Sequence, residues 1–400
     1  MTSVEPPLPP SGSYLKSITE SSHAARVAAN VEVPIKRLLL SPAFTTTFHR
    51  VSGHHGLAFP LNFPSPLAEL TFLSTLALLN FGSGYRAELH RQTGRGAWDS
   101  IRALVFSMYL DSDADLLSAR AMQSVGEGKV AELMGLSVHT ERNHESIPGV
   151  TVGELGGPAY ELVKLVTETL NSTGEALVSG GYPDLGAFVV EALKTARGDM
   201  EGVLERLVKG IPAFRDMAVV DGTPIYCFKK ALFLIHGVYI RFHKLSPPPF
   251  PIPDTTHMPI CADNVIPSML VYLGIIDLSN AATHSLSSIF PHPSRQAMDK
   301  LLEAPSPSFS TETTADTKKE PPKEGPELTV EQAFILRAAA IEACEVIVEL
   351  AGTMQVEGDG VAWIKSITLP DVDTWLWAVA KDRPDYRSLE RFALKGTNFF

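Results

Sequence analysis

The sequence predicts a mostly α protein built as a single large helical domain, with at most a small β-hairpin. Three observations carry that expectation. Apolar residues recur at helical spacing through most long segments and are bracketed by helix start and stop signals. Strand signals are confined to Ala218–Val220 and Pro224–Phe228, around the turn pair Asp221 and Gly222. A chain of 400 residues with 44% hydrophobic and 20% charged residues has enough apolar surface to bury a large core, and no internal repeat divides it.

Taken in order, residues 1–13 are rich in Pro and Ser and are expected to be disordered, leaving residues 14–400 to form the domain. Ser65 and Pro66 open a helix whose Leu67, Leu70, Phe72, Leu73, Leu76 and Leu79 form a wide apolar stripe. Further helices are expected over Gly153–Leu170, Ala187–Lys194, Gly202–Val208, Ile225–Phe242, Pro267–Leu273 and Asp371–Lys381. Thr329 and Gln332 make a capping box for a helix running to about Leu350, and Ala338, Ala339, Ala340 and Ala343 permit close approach of a neighbour. Residues 303–327 contain almost no side chain able to join a core, so they read as a disordered surface insertion rather than an interdomain linker.

A formal charge of −11 and a pI near 5.6 disfavour a stable nucleic-acid partner, while leaving room for a local basic pocket that holds one phosphate. Three widely spaced cysteines, Cys227, Cys261 and Cys344, and twelve histidines without metal-ligand spacing give no basis for a disulfide framework, metal or cofactor. The first residues lack the basic and apolar regions of a secretory signal. The longest apolar stretches, Leu67–Phe81 and Ala231–Ile240, are too short or interrupted to span a bilayer. A cytoplasmic protein without a membrane partner is expected; nothing in the sequence specifies its oligomeric state.

Chemistry concentrates in Phe228–Phe242 and Cys261–Ser279, where two lysines precede an apolar helix and Asp263 opens the next. Ionisable groups at the mouths of buried helices are costly to desolvate unless something uses or satisfies them. The plain reading of Asp263 is a helix cap, and that of Lys229 and Lys230 is two exposed side chains. Adjacent helical positions do not share a face, so one lysine can enter a site while the other is solvated. Asp371 is better placed than Asp373 to cap its helix, which frees Asp373 for binding. Asn80 reads most simply as a helix terminator, and Trp375 and Trp377 as core.

These segments together resemble the queuosine salvage family, the queuosine 5'-phosphate N-glycosylases that release the base queuine from a nucleotide. In that family an aromatic-Tyr-Lys-Arg-Ala-Gln helix precedes Ala-Asp-Tyr-Arg-x-Pro-Gln-x-Leu-x-x-Leu-Gly. Here the two stretches read Cys227-Phe228-Lys229-Lys230-Ala231-Leu232 and Ala262-Asp263-Asn264-Val265-Ile266-Pro267-Ser268. Leu79-Asn80-Phe81, Phe214-Arg215-Asp216 with the Asn171–Gly181 stretch before it, and Val372–Trp377 match in the same order, so the resemblance is collinear from about Leu15 to the C-terminus.

The resemblance implies a layout similar to helical DNA glycosylases and a cofactor-free hydrolase acting on a small nucleotide. It implies that Asp263 is the catalytic carboxylate, favouring the positive charge that builds on ribose C1' and activating water. It implies that Lys229, the second catalytic residue, reaches substrate or pairs with Asp263, and that Asp373 accepts from the guanine-like edge of the base. Asn80 and Phe81 would belong to the base pocket. Lys230, which replaces a family arginine, Trp377, and Arg337, which matches one, join the expected substrate-binding set; a buried Arg337 needs a carboxylate partner, for which the site's own acids are candidates. Glycines in Gly82-Ser83-Gly84-Tyr85-Arg86, where the family continues Ser-Phe-Trp, would carry Tyr85 into stacking and Arg86 toward a phosphate. Phe214-Arg215-Asp216 reads as structural. The departures are Asn264 and Val265 for Tyr-Arg, Leu232 for Gln and Ile335 for Glu. They bear on specificity and phosphate recognition, and leave two alternatives: a glycosidase for another purine-like nucleotide, or a non-catalytic nucleotide-binding protein.

Overall fold

The computed structural model describes residues 5–34, 38–50, 57–111, 115–144, 146–147, 149, 151–305, 323–355 and 359–400. Within them the chain is mostly α, with sixteen α-helices and three two-stranded ribbons, and its buried apolar side chains form one contiguous cluster. The helix Val330–Thr353 runs through that cluster and is opened by the Thr329–Gln332 capping box. Ala338, Ala339, Ala340 and Ala343 are fully buried in it. Their small side chains let Tyr14–Ala28, Val265–Tyr272 and Leu369–Asp382 pack directly on this helix. The helix Pro66–Leu78 has its Ser65 hydroxyl accepting from the Ala68 N–H at 3.1 Å and Pro66 at its first position. It is apolar on nearly every side because it lies between Lys229–Phe242 and Leu185–Thr195.

The expected hairpin is present. Met217–Val220 pairs with Thr223–Tyr226 across Asp221 (φ +50°) and Gly222 (φ +79°), two positive-φ residues that match the right-handed twist of the strands. Two further ribbons were not foreseen. His139–Asn143 pairs antiparallel with Thr151–Leu155, all ten residues exposed, and Glu324–Glu327 pairs parallel with Arg391–Ala393.

Several boundaries are corrected accordingly. The helix expected from Gly153 starts only at Gly157, because Thr151–Leu155 is held in a strand and Gly157 (φ +83°) precedes Pro158; it then runs on to Ser179. The helix expected from Ile225 starts at Lys229, after the hairpin strand. Residues 324–327 belong to a ribbon rather than to a disordered insertion, of which residues 306–322 lie outside the described residues. Residues 5–13 are also placed, while residues 1–4 lie outside the description. The Tyr226 hydroxyl donates to the Pro7 carbonyl at 2.8 Å, and the N–H groups of Gly12 and Leu15 donate to Glu205 and Glu201, each at 2.8 Å. The carboxylates of Met200–Gly210 thus satisfy N–H groups of the N-terminal run and the helix that follows, a tertiary effect that composition does not reveal. Among the described residues no helix is long and apolar enough to cross a membrane.

Candidate functional site

The site is assembled around a buried ion pair that does not itself face the cavity. The Lys229–Phe242 helix has no side-chain cap; Phe228 before it sits at φ +47°, ψ 32°, a left-handed conformation uncommon for an aromatic residue. Asp216 supplies the missing acceptors. Its Oδ2 accepts from the Lys229 N–H at 3.0 Å, and its carbonyl accepts from the N–H groups of Cys227 (3.0 Å) and Phe228 (3.2 Å). Arg337 neutralises this carboxylate through both terminal nitrogens, Nη1 at 2.8 Å, with both side chains 0% exposed. Its Nε donates at 2.9 Å to the carbonyl of Ala262, the residue before Asp263. One guanidinium therefore fixes the start of the lysine helix against the backbone that carries Asp263. Arg337 is a strut rather than a substrate ligand, and its partner is Asp216 rather than a cavity carboxylate.

Beside this strut lies a cavity of about 450 Å³, whose walls include Asn80, Phe81, Arg86, Lys229, Asp263, Asp373 and Trp377. The Lys229 ammonium donates to the Asn80 carbonyl at 2.6 Å instead of pairing directly with Asp263. Burial pushes its pKa down, and the nearby Asp263 charge opposes that shift. Asp263 is half-buried. Its Oδ1 accepts from the N–H groups of Val265 (2.7 Å) and Ile266 (3.3 Å), leaving Oδ2 without a hydrogen bond among the described residues. The helix-cap reading and the cavity reading of Asp263 are thus compatible, one oxygen for each.

The cap is Thr368 rather than Asp371, which completes a capping box from the third helical position; Asp373 takes no part in it and turns inward to accept from the Cys261 N–H at 2.6 Å. Burial pushes its carboxyl up to about 7 against that hydrogen bond, with the Asp263 charge adding to the rise. This value lies above the ordinary carboxyl pKa of about 3.9, so the folded state holds the proton more tightly than the unfolded chain. The resulting stabilisation is complete below about pH 4, and it is lost as the pH rises through about 7. Urea titrations across that window are expected to show stability falling with a slope of up to about 1.4 kcal/mol per pH unit, which Asp373→Asn removes. An unchanged slope in that variant would place the titration elsewhere.

Two other expected ligands do not line the cavity. Lys230 is fully buried rather than solvated, with Nζ donating to the Leu78 carbonyl at 2.9 Å and lying 5.1 Å from the centre of the Phe81 ring. Burial and the adjacent Lys229 push its pKa well below the usual lysine range. Tyr85 is buried, its hydroxyl accepting from the Gly396 N–H at 3.0 Å, so it is not a stacking platform. Its turn is pinned to the C-terminal segment: a Cβ on Gly84 would lie 2.3 Å from the Leu394 carbonyl oxygen. Trp375 is core, its Nε1 donating to the Thr47 hydroxyl at 2.7 Å, whereas Trp377 faces the cavity.

The cavity also contains residues that the sequence reading missed, chiefly Arg95, Trp98, Lys381, Arg387 and Arg391. The available signal was the arginine-rich stretch Arg383–Arg391, which reads as an ordinary solvated surface. Six lysines and arginines and three aspartates line the cavity, a cationic patch in a chain whose formal charge is −11. Three of its polar atoms, Ser83 Oγ, Trp98 Nε1 and Arg391 Nε, are buried without a hydrogen-bond partner among the described residues. No group of three His, Cys, Asp or Glu residues among the described ones is arranged to hold a metal ion; His54 and His55 lie outside them.

A protein-family model described as queuosine salvage protein matches residues 68–298, more than half of the chain. The matched span contains Asn80, Phe81, Lys229 and Asp263 and ends before Arg337, Asp373 and Arg391. No curated protein matches the chain.

Proposed function

The chain belongs to the queuosine salvage protein family, and from that premise we propose that it hydrolyses the N-glycosidic bond of queuosine 5'-phosphate to queuine and ribose 5-phosphate. The observation that carries this reading is that Lys229, Asp263 and Asp373 line one cavity, about 450 Å³ in volume and so within the range of small-ligand sites. The C1'–nitrogen bond breaks with its electron pair leaving on the base, and positive charge develops over C1' and the ring oxygen. The Asp263 carboxylate stabilises that charge and takes a proton from the water that adds to C1'; the departing base acquires the proton in the net reaction. Queuine is a 7-deazapurine and lacks the N7 that purine nucleosidases protonate, so the sugar side carries more of the barrier.

Lys229, anchored on the Asn80 carbonyl, positions the substrate through its remaining N–H groups. Asp373 meets the base edge: ionised it accepts from the ring N–H and exocyclic amine, and protonated it loses part of that capacity. Phe81 and Trp377 supply apolar walls. Incubating purified protein with queuosine 5'-phosphate and following products by mass spectrometry is expected to give queuine and ribose 5-phosphate in equal amounts. A folded preparation that releases neither would overturn the reading. Asn264 and Val265 stand beside Asp263 where the family has Tyr-Arg, and this favours one second reading, a glycosidase for another purine-like nucleotide. Turnover of purine or deazapurine 5'-phosphates in preference to queuosine 5'-phosphate would select it.

A further inference from the structure

We propose that Arg86, Arg387 and Arg391 form an anion clamp that holds the substrate's 5'-phosphate, taking over from the arginine that the family carries where this chain has Val265. The inference rests on the nucleotide-hydrolase reading and adds residues from the C-terminal segment, beyond the span matched by the family model.

The C-terminal strand is built into the site by the departure itself. Asn264 donates from Nδ2 to the Phe392 carbonyl at 2.7 Å. The Ser268 hydroxyl donates to the Asn264 carbonyl at 2.7 Å and accepts from the Phe392 N–H at 3.3 Å. The helix carrying Asp263 at its mouth thereby grips the residue next to Arg391, and both Arg391 and Asp263 line the cavity. Arg391 engages one terminal nitrogen with the Ala380 carbonyl at 2.5 Å, while its Nε is buried without a partner. A buried donor left unmade is unfavourable by about 1–3 kcal/mol, so this guanidinium is set to meet an acceptor.

Its neighbours are similarly available. Arg387 makes no side-chain hydrogen bond or ion pair among the described residues, and Arg86 makes a single one, to the Lys323 carbonyl. Burial, together with the charges of Arg86 and Arg387, pushes Arg391 down to about 10, the signature of crowded like charges with one acid, Asp263, opposing. A phosphate dianion relieves that repulsion and matches the planar fork of a guanidinium, a geometry that a lysine ammonium does not reproduce. Asp263 addresses C1' and the phosphate hangs from the far side of the same sugar, so an anion site beside the carboxylate, not on it, is what a nucleotide needs.

The test compares the full-length protein with Arg391→Met, Arg387→Met and Arg391→Lys. Calorimetry with ribose 5-phosphate, ribose and inorganic phosphate reads the clamp without any turnover. The wild type is expected to bind ribose 5-phosphate at least about tenfold tighter than ribose, and Arg391→Met to erase that preference, with Arg391→Lys restoring part of it. Tighter binding of ribose 5-phosphate than of inorganic phosphate identifies a sugar phosphate as the ligand; equal affinities would reduce the site to a general anion site and overturn the assignment. The ratio of kcat/KM for queuosine 5'-phosphate over queuosine is expected to fall about tenfold in the same variant. If Arg391→Met fails to fold, Arg387→Met carries the test, since that side chain holds no structural bond. Should the wild type release queuine while both methionine variants keep the phosphate preference, the clamp is wrong and the hydrolase reading stands. Should no queuine appear while the calorimetric preference is lost as expected, the clamp stands and the chemistry is wrong.

Discussion

Asp263→Asn is expected to lower kcat for queuine release by about 10²- to 10³-fold while leaving the protein as stable as the wild type to within about 0.5 kcal/mol. The substitution is chosen because Asp263 has two separable duties. Its Oδ1 caps the Val265–Tyr272 helix through the N–H groups of Val265 and Ile266, and asparagine caps helices about as well as aspartate. What asparagine removes is the negative charge on the cavity side, which an oxocarbenium-like state requires and a neutral ground state does not. Asp263→Ala removes both and is expected to lose about 0.5–2 kcal/mol of stability in addition. Steady-state release of queuine, measured beside thermal unfolding for both variants, separates the duties. If Asp263→Asn turned over at the wild-type rate, the carboxylate would be a cap alone and the hydrolytic assignment would fall.

What the sequence made legible is what depends on local interactions. The capping box Thr329–Gln332 and the opening of Pro66–Leu78 are spelled within four residues each, and the hairpin turn at Asp221 and Gly222 within two. Asn80, Phe81, Lys229, Asp263 and Asp373, which the family resemblance singled out, lie around one cavity. The misses share a different cause. Lys230 reads as a substrate ligand from the resemblance and as an exposed side chain from the residues alone, yet Leu232 and Leu234 beyond it, both fully buried, signal a helix without a wet face, and a lysine there must find a carbonyl such as that of Leu78. The strand His139–Asn143 is polar throughout and exposed, so no alternation marks it. Arg391 enters through a parallel pairing with Glu324–Glu327, whose partner lies more than sixty residues away in sequence and is invisible to any local pattern. The same holds for Phe214-Arg215-Asp216. Its carboxylate reaches Arg337 across 121 positions, a contact that neither composition nor spacing announces.

That contact is also where the largest loss of stability is expected. Asp216→Asn keeps the size of the side chain and an oxygen for the Lys229 N–H, yet leaves the Arg337 guanidinium fully buried without a counter-charge. Breaking one side of a buried pair is unfavourable by about 3–5 kcal/mol, a large share of the roughly 5–15 kcal/mol that holds a domain folded. Arg337→Met is expected to lose a similar amount by stranding Asp216. The double variant Asp216→Leu with Arg337→Met removes both charges and is expected to be more stable than either single one, because desolvation of the pair offsets much of its attraction. Urea unfolding followed by two probes tests this order; single variants within about 1 kcal/mol of the wild type would refute it. The double variant then isolates what the pair does for function. Without Arg337 Nε the Ala262 carbonyl loses its donor, and without Asp216 the Lys229 N–H loses its acceptor, so the two cavity residues are no longer held in one frame. A folded double variant with impaired turnover is therefore expected, the loss appearing mainly in kcat, since misplacing reacting groups by even about 1 Å lowers rates by about 10²-fold.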